Sequence, residues 1–163
     1  MVAQGIHQVH LIPIDMKLNL HSSKDILIRE AKTGDAEFVM RLIKQLGPDS
    51  PITLDYVSTY LEGTNNEILL AVRQGNVDGL LSYSLRPDLY HAGNSVLIEE
   101  LVVDQACRGE GVGSALITAL MERLKDLNCK EVCLAVMPDN KRAIRFYRFH
   151  GLVEEALFLE RHF

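Results

Sequence analysis

The stretch that decides the fold is Leu101-Val102-Val103-Asp104-Gln105-Ala106-Cys107-Arg108-Gly109-Glu110-Gly111-Val112-Gly113-Ser114-Ala115-Leu116. Its first three residues close an apolar run, Val96 to Val103, with the length and β-branched composition of a strand. Its last residue opens a helical stripe of Leu116, Leu120, Leu124 and Leu127. Between the two, glycines at 109, 111 and 113 leave the backbone bare where strand hands over to helix. Amides there can approach a ligand closely and the positive helix end favours an anion, so a phosphate suits the position. The helix dipole supplies only roughly 0.3–1 kcal/mol, so several converging N–H groups and Arg108 must add to it. A flexible turn is the competing reading. Spacing excludes two nucleotide motifs: the third glycine comes one residue early for G-x-G-x-x-G, and Gly113-Ser114-Ala115 stands where a phosphate loop has Gly-Lys-Ser/Thr.

Upstream, Glu67 to Val72 and Val77 to Leu85 read as strands around the turn Gln74-Gly75-Asn76, and Pro87 to Asn94 as a loop. Before them come two helices. One opens at Thr33-Gly34-Asp35-Ala36-Glu37, carries apolar Phe38, Val39, Leu42, Ile43 and Leu46 at helical spacing, and stops at Gly47-Pro48; the other runs from about Ile52 to Leu61, with Leu54, Val57 and Leu61 inward, and ends at Gly63. Ile26 to Arg29 is the first strand of the domain. Downstream, the pattern gives a strand over Glu131 to Met137, a helix over Asn140 to His150 ended by Gly151, and a strand over Val153 to Arg161. This order predicts an α/β (α+β) fold with a mixed, mostly antiparallel central sheet and helices on both faces. Residues 14–21 alternate apolar and polar, so the N-terminal extension 1–25 is expected to add an edge strand, pair with another subunit or stay disordered, while 26–163 form a single domain.

With 163 residues, 47% of them hydrophobic and 24% charged, one globular unit is expected, and neither a disordered chain nor a membrane-spanning one fits. Seventeen Lys and Arg against twenty-two Asp and Glu give a net charge of −5, which disfavours nucleic acid as partner and favours a cationic small molecule. Three cysteines without a framework spacing, and no secretory leader, point to a reducing cytoplasm. Cys129 and Cys133 lie on an alternating run without neighbouring histidines, so they read as structural thiols and no metal site is expected.

The segment from Leu101-Val102-Val103 through Arg108-Gly109-Glu110-Gly111-Val112-Gly113-Ser114 resembles the R/Q-x-x-G-x-G/A pyrophosphate loop of the GNAT superfamily of acetyl-CoA-dependent N-acetyltransferases. A second match is Asn140-Lys141-Arg142-Ala143-Ile144-Arg145-Phe146-Tyr147-Arg148-Phe149-His150-Gly151, similar to that family's N-x-x-A-x-x-x-Y-x-x-x-G helix. Leu152 stands where the family often has Phe, a change of packing only. The likeness implies acetyl-CoA as co-substrate, with the backbone of Leu101, Val102 and Val103 pairing with the pantetheine arm. It also implies that amides from Arg108, Gly109, Glu110, Gly111, Val112, Gly113 and Ser114 hold the pyrophosphate and that Asn140 bonds the arm. Homodimerisation is carried over in the same way.

An alkyl amine, with a lysine-like pKa near 10.4, is protonated at neutral pH and needs a base before it can attack a thioester. Glu99 and Glu100 interrupt an otherwise apolar strand. Regular alternation sends them to opposite faces, so only one reaches the site unless a bulge intervenes. By likeness to the spermidine/spermine acetyltransferase branch, Glu99 is the expected base, through water, and Glu100 a substrate contact; a salt-bridged strand pair is the alternative. Tyr147, seven residues after Asn140, can share a helix face with it and is the expected acid for the departing thiolate, against a core aromatic beside Phe146 and Phe149. Cys107 precedes the phosphate loop and is too far from the thioester for an acetyl-cysteine route. His91 is a solvated loop residue or a substrate contact. Tyr83 and Tyr90 are expected to shape the acceptor pocket, and Asp49, Asp55, Glu62 and Glu67 to line its mouth or to be plain helix surface. The expected activity is acetyl transfer by direct attack to a primary amine of a small molecule such as a polyamine, amino sugar or amino acid, the alternatives being protein N-terminal or lysine acetylation and a CoA-binding module without turnover.

Overall fold

Apolar residues spaced two apart build three long antiparallel strands, β2 (Asn66–Arg73), β3 (Asn76–Asp88) and β4 (Gly93–Val103). The computed structural model describes residues 26–63 and 66–154, together with 159 and 161. Within them β1 (Leu27–Glu30) pairs antiparallel with β2, and β5 (Cys129–Leu134) pairs parallel with β4, giving the order β1-β2-β3-β4-β5. The sheet is mixed and mostly antiparallel, as expected. The strand expected over 14–21 lies outside the described residues. Of the one expected over 153–161, only 153, 154, 159 and 161 are described, and none of these is in a strand.

Helices cover both faces. α1 (Ala36–Leu46) and α2 (Leu54–Glu62) pack Val39, Leu42 and Val57 against Leu70, Leu80 and Val102, whereas Phe38, Leu46 and Leu54, expected on the same apolar stripes, stay exposed near the helix ends. On the opposite face, α3 (Val112–Leu124) packs Leu116, Ile117 and Leu120 against Leu81, Tyr83, Val96 and Ile98. Each fully buried leucine in these layers contributes roughly 1.5–3 kcal/mol. α4 (Lys141–Phe149) joins the α3 side through Phe146 and Tyr147. Gly113 permits that approach, since a Cβ there would stand 3.3 Å from the Phe146 ring.

Several boundaries differ from the sequence reading for local reasons. α2 begins at Leu54 because Thr53 stays extended and caps it, its Oγ1 accepting the Tyr56 N–H at 3.2 Å. The loop expected over 87–94 shrinks to 89–92, because the Asp88 carboxylate accepts the N–H groups of Tyr90 (2.9 Å) and His91 (3.1 Å), and Pro87 already pairs with Asn94. β5 starts two residues before the expected strand and stops at Leu134. Asp35, buried at the start of α1, takes a two-pronged ion pair from Arg29 of β1 at 2.7 and 2.8 Å, which holds its carboxyl below the usual range and ties the first strand to the first helix.

Three positions break the ladder: one in the parallel pairing, where Lys130 of β5 is passed over between Cys129 and Glu131, and two in the antiparallel pairings. Between β2 and β3 the register slips so that Asp78 has no partner, and between β3 and β4, with Ser82 opposite Glu100 and Tyr83 opposite Ile98, Glu99 is the extra residue. The slip at Glu99 switches the face on which β4 side chains fall. Val96 and Ile98 face α3 before it, and Leu101 and Val103 do so after it.

Candidate active site

The bulge at Glu99 puts two consecutive acids on one side of the sheet, which regular alternation forbids. Both line a cavity of about 670 Å3 between the sheet and α1 and α2. Its walls are Val39 and Ile43 of α1 with Ile52, Tyr56, Val57 and Tyr60, and its sheet side is Ile68, Leu80 and Ser82. Among the described residues, Glu99 and Glu100 are the only charged side chains lining it. The Ser84 hydroxyl donates to Glu99 at 2.9 Å. Ser82 donates to the Glu100 carboxylate and accepts the Glu100 N–H at 3.1 Å. Burial, with Glu100 and Glu99 adding to it, pushes the Tyr60 hydroxyl up to about 12, so it stays a proton donor facing the acids.

The sheet opens beside these acids. Pairing of β4 with β5 runs from Asn94 opposite Cys129 to Ile98 opposite Leu134, while β4 continues to Val103. From Glu99 onward, the edge of β4 that faced β5 has no strand partner among the described residues, and its backbone groups suit an extended, amide-bearing ligand. Beyond that edge lies the glycine segment. Gly109 (φ 88°) and Gly111 (φ 85°) take the left-handed conformation that a side chain would strain, and Gly111 caps α3 with no side chain over its first turn. The first-turn N–H groups of Val112, Gly113 and Ser114 therefore face outward without helical acceptors, the donor set a diphosphate needs. Glu110, the acid of this loop, is neutralised by Arg73 at 2.6 Å. Arg108 is exposed, its Nε–H reaching the Val103 carbonyl at 3.3 Å.

Leu101 and Val103 lean on the α3 layer and Val102 on the α1 side. Asn140 lies just outside α4 rather than on its face: it is the cap, its Oδ1 accepting the Ala143 N–H at 3.1 Å. Tyr147 packs on the α3 side, where burial raises its hydroxyl above the ordinary tyrosine range. That hydroxyl makes no hydrogen bond among the described residues, yet no buried polar side-chain atom among them lacks a partner, so it reaches open space. Ser114 Oγ lies 3.0 Å from His150 Nε2, and burial lowers the His150 pKa.

Other expected contributors lie elsewhere. Tyr83 is wholly buried against α3 and donates to Glu67, which Arg123 also holds at 2.7 Å, so neither residue shapes this cavity. Tyr90 and His91 are exposed at the hairpin tip, where His91 Nδ1 lies 2.9 Å from Asp88, whose carboxylate raises the imidazole pKa. Asp49, Asp55 and Glu62 are exposed and do not line the cavity. Burial pushes the Cys107 thiol up, away from a reactive thiolate. Sequence reasoning missed Tyr56, Tyr60, Ser82 and Ser84. The i, i+4 spacing of the two tyrosines and the i, i+2 spacing of the two serines were the available signals.

An acid-floored cavity and a bare helix start that meet at one split in a sheet define a group-transfer enzyme. The sequence profile of the acetyltransferase (GNAT) family matches residues 36–152, and the chain belongs to that family as an acetyl-transferring enzyme. The chain is 30% identical over 142 residues to a thialysine N-epsilon-acetyltransferase of Sus scrofa, covering 77% of this chain and 83% of that protein. It is 31% identical over 130 residues to an aminoalkylphosphonate N-acetyltransferase of Salmonella typhimurium, covering 76% and 82%. A crystal structure described as a transcriptional regulator from Bacillus halodurans superposes with a TM-score of 0.76 at 30% identity, covering 85% of this chain and 99% of that one. Among the described residues no helix is long and apolar enough to cross a membrane.

Proposed function

We propose that this enzyme transfers the acetyl group of acetyl-CoA to a primary amine of a small molecule by direct attack. The observation that carries the reading is the bulge at Glu99, which brings Glu99 and Glu100 into one cavity beside the split in the sheet. Acetyl-CoA supplies an acetyl group activated as a thioester. The N–H groups of Val112, Gly113 and Ser114 hold its diphosphate, and the unpaired edge of Leu101 to Val103 aligns the arm that carries the thioester. Asn140, as the cap of α4, keeps that helix beside the arm.

Glu100, fixed twice by Ser82, holds the acceptor's ammonium group. Glu99 takes the ammonium proton through a water, freeing the nitrogen lone pair to form the new C–N bond. Tyr147 gives its proton to the sulfur as the C–S bond breaks, and the second proton, which the nitrogen sheds once the C–N bond has formed, returns to the tyrosinate through solvent. A cavity of about 670 Å3 lies in the size range of small-molecule sites, which favours a small amine over an extended peptide.

Calorimetry with acetyl-CoA tests the reading: micromolar-range binding is expected, and no binding up to millimolar ligand ends it. In Tyr147→Phe, kcat measured by free-thiol release should fall by about 10²–10⁴ with acetyl-CoA affinity kept. Unchanged turnover would remove the acid from this mechanism. Because burial raises the Tyr147 pKa, the protonated form the mechanism needs persists past pH 10. The pH profile of kcat should therefore show no alkaline fall below that value.

A further inference from the structure

We propose that the acceptor is a primary amine on an uncharged apolar body, such as an arylalkylamine or alkylamine, and that amines bearing a carboxylate, phosphate or phosphonate close to the nitrogen are excluded. This rests on the reading above and narrows it to a substrate class.

The described wall of the cavity carries no Lys, Arg or His. A carboxylate or phosphonate two or three carbons from the reacting nitrogen would lie within a cavity whose only charged lining side chains, among the described residues, are Glu99 and Glu100. It would lose its hydration without a counterion and face two like charges. The same wall favours hydrocarbon. Ile43 and Ile52 offer aliphatic surface, while Tyr56 and Tyr60, with ring centroids 6.4 Å apart and planes tilted by 40°, offer two faces to a flat or chain-like body. Tyr56 is 62% exposed, so the aromatic surface extends from the interior to the mouth. A second ammonium along the body would meet the tyrosine rings but no further carboxylate among the described residues, a weaker partner than the water it leaves.

The charged lining thus lies at the sheet and the aromatic surface at the mouth, where the Lys44 ammonium is taken up by the Ser50 carbonyl. This arrangement matches a molecule with one cationic head and a greasy tail.

Thiol release at saturating acetyl-CoA, with 2-phenylethylamine, spermidine and 2-aminoethylphosphonate as acceptors, tests this. The expected order of kcat/KM puts 2-phenylethylamine about tenfold or more above spermidine and about a hundredfold or more above 2-aminoethylphosphonate. Spermidine or 2-aminoethylphosphonate equalling or exceeding 2-phenylethylamine overturns the inference and leaves the acetyltransferase reading intact. Silence with all three while acetyl-CoA binds also overturns it. Loss of acetyl-CoA binding is the distinct result that overturns the broader reading, and this one with it. A variant that adds the missing cation at an exposed site, Tyr56→Arg, is expected to narrow the gap between 2-phenylethylamine and 2-aminoethylphosphonate by about tenfold or more. No narrowing, in a variant whose melting temperature is unchanged, counts against the charge argument.

Discussion

Two of the antiparallel pairings of this sheet leave one residue over, and both of those residues are acids. In β3 the extra residue is Asp78, buried, with its carboxylate on the Arg73 Nε–H at 2.8 Å and its carbonyl accepting the Asp104 N–H at 2.8 Å. In β4 it is Glu99, exposed to the cavity, with one hydroxyl for a partner and no cation within salt-bridge distance among the described residues. The backbone device is the same. What differs is the counterion: a paired acid fixes the chain, whereas an acid without a cation keeps its lone pairs for a proton or an ammonium group. A bulge re-aims a side chain, and the neighbours it meets decide whether the result is architecture or chemistry.

Neutralising each bulged acid should separate the two roles, and the larger effect belongs to β4. Glu99→Gln keeps size and exposure but loses basicity, so kcat is expected to fall by about 10²–10⁴. Its melting temperature should barely move, as exposed substitutions change stability by about ±0.5 kcal/mol. Thermal melts and thiol release on the same preparation check both halves. A destabilised Glu99→Gln with normal kcat would make the two bulges alike and break the contrast.

Asp78→Asn should do the reverse. Arg73 keeps Glu110 but loses a buried anionic partner, so the free energy of unfolding is expected to drop by about 1–3 kcal/mol in denaturant titrations, with kcat preserved. If kcat collapses while stability holds, the β3 bulge belongs to the chemistry after all.

Much of this was legible before any coordinates. The glycines at 109, 111 and 113 announced a bare helix start because backbone freedom is written directly in residue type, and Gly109 and Gly111 do take positive φ. The alternating runs gave the central strands because burial on one face repeats every second residue. The bulge was not legible. Glu99-Glu100 in an apolar strand reads as one acid in and one out, and only the pairing with β3 reveals that Glu99 is the residue left over. Tyr83 misled for a similar reason: a tyrosine in a strand near an expected pocket belongs to whichever face the register assigns, and here that is the α3 core. The apolar wall of the cavity is assembled from α1, α2 and the segment between them, residues that carry no motif, so their common face emerged only from packing.

The smallest effect tests how Glu99 is aimed. Glu100 is held by Ser82 through both its carboxylate and its own N–H, whereas Glu99 has the single Ser84 hydroxyl at 2.9 Å. One such bond contributes about 0.5–1.5 kcal/mol, and tenfold corresponds to about 1.4 kcal/mol, so Ser84→Ala should lower kcat/KM by about two- to tenfold. Ser84→Thr, which keeps the hydroxyl, should recover most of the loss. A Ser84→Ala defect as deep as that of Glu99→Gln would mean that the proton leaves the acceptor through the serine. The base of this site would then be a Ser84–Glu99 pair rather than a single carboxylate, and the contrast between the bulges would lie in a relay on β3 rather than in the missing counterion.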